Sequence, residues 1–318
     1  MTTDFAHQPV MVDEIVAVFA TVPPGTVFDA TLGGGGHSAA LLDEYPELFV
    51  LGIDRDDTAL AAARTHLQRF GDRVTTAHAR FDAIDDVLRD HDIAGLSGAL
   101  FDLGVSSPQL DRFERGFSYR NDGPLDMRMD RSQTTSAADI VNGHELDELT
   151  RIIRRYGDER FASRIAKAIV AARPIESTAE LAAVVAAAIP AAARRAGGHP
   201  ARRTFQAIRI AVNDELEVLP GAIDQAIDAT VPSGRIAVLT YHSGEDRIVK
   251  DRFVKAAGRC TCPPGLPCVC GAVALVRRVR APRTPSPAQA EANRRARSAR
   301  LRVVERLDAQ TAMDSNNA

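Results

Sequence analysis

Four consecutive glycines, Gly33 to Gly36, separate the apolar run Thr26-Val-Phe-Asp29 from the run Ser38-Ala-Ala-Leu-Leu-Asp43. Glycine gives up more backbone freedom on folding than any other residue, so four in a row fit only where the chain turns tightly or lies close against something. The flanks read as a short buried strand and as a helix opening with the hydroxyl of Ser38 as its cap. Strand, glycine turn and helix together form a nucleotide-cradling arrangement. Backbone N–H groups at the helix start hold negative charge, and the missing side chains let a ligand approach.

About twenty residues on, the apolar run Phe49-Val-Leu-Gly-Ile53 ends in Asp54, where such a fold sets a carboxylate against ribose hydroxyls. Without Asp54, a tight turn with no ligand would be the better reading of the glycines. A dinucleotide fingerprint needs glycine at the sixth loop position, which is Ser38 when counted from Gly33. No Gly-Lys-Ser/Thr sequence is present, so a triphosphate would lack its lysine. Asp29 before the glycines and Asp54 after the second strand suit a cationic ligand carrying a ribose, such as S-adenosylmethionine, better than a pyrophosphate.

Before the glycine turn helical spacing marks His7 to Phe19, and after Asp54 it marks Thr58 to Phe70 and Ile84 to His91, alternating with a third strand from Arg73 to Phe81 and a fourth from Gly98 to Asp102. Phe81, ending its strand, reads either as a ring facing an adenine or as a core aromatic. After Asp102 come Gly104, Ser106, Ser107, Pro108 and Gln109, which read as a loop. In a parallel sheet the carboxyl ends of the strands share one edge, so Asp29, Asp54, Phe81 and Asp102 are expected on a common rim. The alternation predicts a doubly wound parallel α/β sheet. From Ala137 to Leu219 the pattern is helical throughout, over Ala137 to Val141, Glu145 to Tyr156, Glu159 to Ala172, Thr178 to Ile189 and Thr204 to Leu219. We therefore expect an all-helical domain, 110–219, inserted into a sheet domain formed by 1–109 and 220–318. A fifth strand, Gly234 to Thr240, leads into the polar cluster Tyr241-His-Ser-Gly-Glu245-Asp-Arg247 at the same edge. Ile248 to Ala257 reads as a helix, and Val273 to Val279 and Leu301 to Glu305 as closing strands.

The formal net charge is only −3, so a polyanionic partner must be met by local patches. Two exist. Arg194, Arg195, His199, Arg202 and Arg203 surround two glycines and a proline beside a helix that Thr204 is expected to cap. A second excess of arginine runs from Arg280 to Arg300 and is densest at Arg294, Arg295 and Arg297. Each reads as a phosphate-contacting surface or as a solvated charge cluster. The N-terminus lacks a secretory pattern, and the apolar stretch Leu181 to Ala193 is alanine-rich and broken by Pro190, which points to a cytoplasmic chain with no membrane partner. In that compartment Cys260, Cys262, Cys268 and Cys270 read as zinc ligands with cramped Cys-x-Cys spacing or as a reduced, turn-rich loop.

Several longer motifs go beyond such local readings. Ala30-Thr-Leu-Gly-Gly-Gly-Gly-His-Ser38, Ile53-Asp-Arg-Asp56, Asp102-Leu-Gly-Val-Ser-Ser-Pro-Gln109, Arg115-Gly-Phe-Ser118, Asp122-Gly-Pro-Leu-Asp-Met-Arg-Met-Asp130, Tyr156-Gly-Asp-Glu-Arg160, Arg203-Thr-Phe-Gln-Ala207, His242-Ser-Gly-Glu-Asp-Arg-Ile-Val-Lys250 and Arg295-Ala-Arg-Ser-Ala299 are spread from the first strand to the last. Together they resemble the bacterial 16S ribosomal RNA cytosine-N4 methyltransferases, the RsmH or MraW family, over roughly Phe5 to Leu307. The resemblance implies a class I, Rossmann-like S-adenosylmethionine-dependent methyltransferase sheet with an inserted helical substrate domain. It implies methylation of a P-site cytidine in 16S rRNA of the 30S subunit. Carried over motif by motif, donor contacts fall on Gly35, Gly36, His37, Asp54, Phe81, Asp102 and Gln109. His37 enters this set through the resemblance alone. One departure is Gly244, where the family usually has leucine, which bears on packing more than on chemistry. The cysteine segment occurs in part of the family and implies no catalytic metal.

For that chemistry, Asp102, or hydroxyls and carbonyls at Ser106 and Ser107, would hold the N4 amine, while the two basic patches hold phosphates. Other functions compatible with the residues are a methyltransferase of the same fold acting on another RNA, a protein or a small molecule, and a non-catalytic RNA-binding assembly factor. Both a monomer and a homodimer are open.

Overall fold

The structure is a computed structural model that describes residues 9–194, 198–259, 262, 272–293 and 296–308. Its sheet is built from β1 (Gly25–Asp29), β2 (Leu48–Asp54), β3 (Val74–His78), β4 (Leu96–Asp102), β5 (Thr230–Thr240), β6 (Val276–Arg278) and β7 (Arg300–Arg306), in the order β3-β2-β1-β4-β5-β7-β6. β1 to β5 are parallel, and β7 runs antiparallel to β5 and β6. The central strands are near-continuous apolar runs because a parallel sheet is covered on both faces. Successive residues divide between two cores. Val27, Leu100, Ala237 and Leu239 pack with α1 (Val12–Phe19) and α2 (Gly36–Glu44). Phe28, Phe101, Ile236 and Val238 pack on the other face, against α4 (Ile84–Asp90), α12 (Glu215–Ala229) and α13 (Ser243–Ala256). α3 (Asp57–Leu67) seals a smaller cluster with Leu32 and Ala39.

The chain divides into two compact units, one of residues 1–104 and 216–318 that contains the sheet, the other Val105–Glu215. The second unit holds α5 (Ser107–Asp111), α6 (Ala137–Gly143), α7 (Leu146–Gly157), α8 (Ala162–Ala172), α9 (Thr178–Ala188), α10 (Ala191–Arg194) and α11 (Arg202–Asn213). In α7 the buried Leu149, Ile152, Ile153 and Tyr156 recur at helical spacing and form its inward stripe. Ser136 and Ser177 cap α6 and α9. The aperiodic segment before α6 is tied down from within. The buried Arg115 donates to the carbonyls of Arg128 and Met129, and Arg128 pairs with Asp126 through two hydrogen bonds of 2.8 and 3.0 Å. A Cβ on Gly116 would lie 2.2 Å from the Pro124 carbonyl oxygen, and one on Gly123 2.1 Å from that of Phe113, so the backbone packs on itself where glycine permits it.

Several expectations need correction. Ser38 does not cap α2, which starts two residues earlier with Gly35 in the left-handed region (φ 78°), because Ser38 turns inward to Asp29. β3 ends at His78, so Phe81 lies in a turn beyond it. The segment expected as loop after Asp102 contains α5, whose Ser106 N–H donates to Gln109 Oε1. Thr204 is fully buried inside α11, whose cap is Ala201. The expected helix from Thr204 to Leu219 breaks at Asp214 (φ 52°), and the following helix runs on through Pro220, with Leu219, Ala222, Ile223 and Ala226 buried on the sheet. α13 begins at Ser243 because His242 caps it. Of the closing strands, β6 is shorter than expected, covering Val276–Arg278, and β7 is one residue longer at each end, Arg300–Arg306.

Candidate donor edge and basic surfaces

At the carboxyl ends of β1, β2 and β4, within the sheet-bearing unit, the expected acids come together around the glycine turn. Ala30 N–H bonds the Leu100 carbonyl and Leu32 N–H that of Ile53, so the chain leaving β1 is stitched to both neighbouring strands. Asp54 closes the turn, Oδ2 accepting from Gly33 N–H at 2.8 Å and Oδ1 from Asp56 N–H at 2.9 Å. Burial pushes its carboxyl up to about 6, against the lowering pull of those two N–H groups. Asp29 is buried, and its Oδ2 accepts from Ser38 Oγ at 2.6 Å while Oδ1 accepts from Thr31 N–H at 3.2 Å. Desolvation raises its pKa in spite of the Ser38 bond.

Asp102, 27% exposed, has its Oδ1 engaged by the Tyr241 hydroxyl at 2.6 Å. Its Oδ2 lies 3.7 Å from His37 Nδ1, and its N–H donates to Thr31 Oγ1. Burial, with Asp102 beside it, raises the Tyr241 phenol well above its ordinary value, so the hydroxyl remains a donor. His37 Nε2 sits 3.0 Å from the Val10 carbonyl, which can only accept, and this fixes the proton on Nε2 and turns Nδ1 toward Asp102.

The glycines divide their roles. Gly33 (φ 53°) has open space where a Cβ would point, with nothing nearer than its neighbour's carbonyl at 3.8 Å. Gly35 and Gly36 instead allow close packing, since a Cβ there would meet Leu67 at 2.8 Å and Pro9 at 2.5 Å. Gly35 N–H is spent on the Leu32 carbonyl. The first α2 N–H groups, from Gly36 onward, have no partner inside the helix. Phe81 is half-buried and packs edge-on against Phe101, its ring centroid 6.3 Å away. In the other unit, Gln109 is buried and occupied with capping α5. Ser106 precedes that helix and Ser107 opens it, and the side chain of Ser107 lies outside the described set.

Tyr241, Thr31 and Ser38 were not singled out by sequence as the partners that orient Asp102 and Asp29. The polar cluster after β5 was the available signal for Tyr241. Within it, Glu245 accepts from the N–H groups of Tyr241 and His242, while His242 Nδ1 accepts from those of Gly244 and Glu245. The motif is thus the start of α13. Leu216 lies 3.1 Å from where a Gly244 Cβ would be and fills the space of the missing side chain.

Of the basic residues, Arg194, His199, Arg202 and Arg203 are exposed on the helical unit. Among the described residues, Arg203 donates to the Asp158 carbonyl. In the sheet-bearing unit Arg297 is exposed and donates to the Ala290 carbonyl, whereas Arg283 and Arg302 are drawn to Asp246. Arg195, Arg294, Arg295, Cys260, Cys268 and Cys270 lie outside the described residues; Cys262 is described and half-buried. Among the described residues no group of His, Cys, Asp and Glu has metal-binding geometry, and no helix is long and apolar enough to cross a membrane.

The profile of the MraW methylase family matches residues 4–307. A protein of Symbiobacterium thermophilum named Ribosomal RNA small subunit methyltransferase H is 52% identical over 311 residues, covering 96% of this chain and 98% of its own. Proteins of the same name from Brevibacillus brevis and Thermobifida fusca are 49% identical over 312 residues and 50% over 314. They cover 96% and 95% of this chain and 99% and 93% of their own.

Proposed function

The chain belongs to the MraW methylase family, and from that premise we propose that it transfers the methyl group of S-adenosylmethionine to N4 of a cytidine in the decoding (P-site) region of 16S rRNA, acting on the small ribosomal subunit in the cytoplasm. The observation that carries this reading is the edge where Asp29, Asp54 and Asp102 end three neighbouring strands around the Gly33 turn. S-adenosylmethionine carries a ribose and a sulfonium cation, and a set of carboxylates beside an open glycine suits both, while the start of α2 suits the carboxylate at its methionine end. Bound there, it supplies a methyl group open to attack by an amine. Asp54 accepts from the ribose hydroxyls. Tyr241 acts from behind, its hydroxyl donating to Oδ1 and fixing the orientation of the Asp102 carboxylate.

The N4 lone pair of cytosine is delocalised into the ring, so the amine is a poor nucleophile until a hydrogen bond from N4–H draws density back to nitrogen. Asp102 would accept that bond and take the proton that N4 gives up as the bond from nitrogen to the methyl carbon forms and the carbon–sulfur bond breaks, its electron pair remaining on sulfur. Most of the remaining rate comes from alignment at near-attack distance. Arg194, Arg202 and Arg203 of the helical unit and Arg297 of the other contact phosphates.

Small subunits purified from a strain lacking the endogenous activity provide the test. After incubation with protein and labelled S-adenosylmethionine, digestion and mass spectrometry should find N4-methylcytidine at one 16S position. Label on another nucleoside or on ribosomal protein overturns the assignment.

A further inference from the structure

On the helical unit, the rings of Tyr119 and His199 stack face to face, with centroids 4.5 Å apart and planes inclined by 17°. Tyr119 is braced from below by Phe205, which meets it edge-on at 5.8 Å and is only 3% exposed. His199 is held at both ends of its residue. Its Nδ1 accepts from Ala201 N–H at 3.3 Å, and its carbonyl accepts from Arg202 N–H at 3.0 Å. With Nδ1 accepting, a ring proton sits on Nε2. Yet His199 is exposed, so a rigidly mounted aromatic stack ends in a ring that faces water.

Arginines accompany it. The Arg120 guanidinium lies 5.7 Å from the Tyr119 centroid, and Arg202 and Arg203 open α11 directly after the His199 turn. All three are exposed, and among the described residues none is ion-paired; Arg203 donates to a neutral carbonyl. A fixed aromatic face among unneutralised arginines is the chemistry of single-stranded nucleic acid, in which every base offers a π face and every linkage a negative charge. A duplex keeps its bases stacked on one another and cannot use such a face.

We propose that the Tyr119–His199 stack is a platform for one unpaired nucleobase of the RNA, with Arg120, Arg202 and Arg203 taking the adjoining phosphates. This rests on the reading of the chain as an RNA methyltransferase. The platform is a recognition element of the helical unit, and it selects substrate whose strand is open there.

Two substitutions in the full-length protein separate stacking from capping. His199→Asn keeps an acceptor for Ala201 N–H and removes the ring, and His199→Phe keeps a ring and removes the acceptor. Binding is read by fluorescence anisotropy with a labelled single-stranded RNA oligonucleotide and with its duplex, and thermal melting confirms that each variant is folded. His199→Asn should weaken single-strand binding about tenfold and leave duplex binding unchanged, while His199→Phe should stay within about twofold of wild type. Equal losses in both variants, no loss in His199→Asn, or equal weakening of single strand and duplex each overturn the platform. Should one variant unfold, the other decides by the same criterion. A wild-type protein that binds no RNA overturns the RNA reading itself. One that binds and methylates RNA while His199→Asn behaves as wild type loses only the platform.

Discussion

Asp102 gives its two oxygens different work, and the consequences can be measured at that single residue. With Oδ1 fixed by Tyr241, replacement of Asp102 by Ala removes the only carboxylate we assign to N4. Methylation of small subunits should fall by about 10²–10⁴-fold, the usual reach of a lost general base. Turnover near the wild-type rate excludes the role. Asp54 makes a prediction in pH. Its carboxyl is pushed by burial from 3.8 to about 6, so the folded state holds the proton longer than the unfolded chain does. The stabilisation is therefore complete below about pH 4 and is lost as pH rises through about 6. Asp54→Asn, which carries no charge, should gain on the wild type by about 1–3 kcal/mol between pH 4 and 7 in urea denaturation. A constant difference over that range means that burial does not raise the Asp54 carboxyl. Donor affinity measured by calorimetry should move the other way, rising with pH as Asp54 ionises and accepts from ribose.

Among the elements, α11 separates what periodicity reveals from what it hides. The polar residues Gln206, Arg209 and Asn213 are visible at helical spacing, but each has a partner beyond the helix, and those of Gln206 and Asn213 include residues 50 and more positions away. Gln206 donates to the Tyr156 carbonyl, Arg209 forms a double hydrogen bond with Glu215, and the buried Asn213 donates to the Met127 and Arg209 carbonyls and accepts from Met129 N–H. Asn213→Leu strands those backbone groups and should cost about 2–4 kcal/mol in urea denaturation, whereas an exposed change such as Arg154→Ala should cost under about 0.5 kcal/mol. Strands β1, β2 and β4 were legible because burial on both faces leaves them almost wholly apolar up to their terminal acids. The start of α2, the end of β3, the short α5 and the break at Asp214 were not. Each is set by a tertiary contact or a backbone conformation, such as Ser38 on Asp29 or the left-handed Asp214, that has no periodic trace. In the site, the acids could be read from their places after apolar runs. The orienting hydroxyls of Thr31 and Tyr241 could not, because their partners are brought together only by the sheet.

For the molecule as a whole, a net charge of −3 says little about binding, and the local arginines carry the prediction. Arg202→Ala with Arg203→Ala should lower the slope of log affinity for single-stranded RNA against log salt by about 1.4, two phosphates' worth, and leave donor affinity unchanged. Equal losses of both affinities would make that segment structural. The sheet order has a further consequence, for synthesis. β4 lies between β1 and β5, and its pairing with β5 over Gly98 to Asp102 requires residues from Arg235 onward. At about 5–20 residues per second, the intervening stretch keeps one edge of the most deeply buried strand bare for roughly 7–26 s on every translating ribosome. The nascent chain thus carries an unpaired strand edge before it has ever met a substrate, and slow codons within the helical segment would lengthen its exposure.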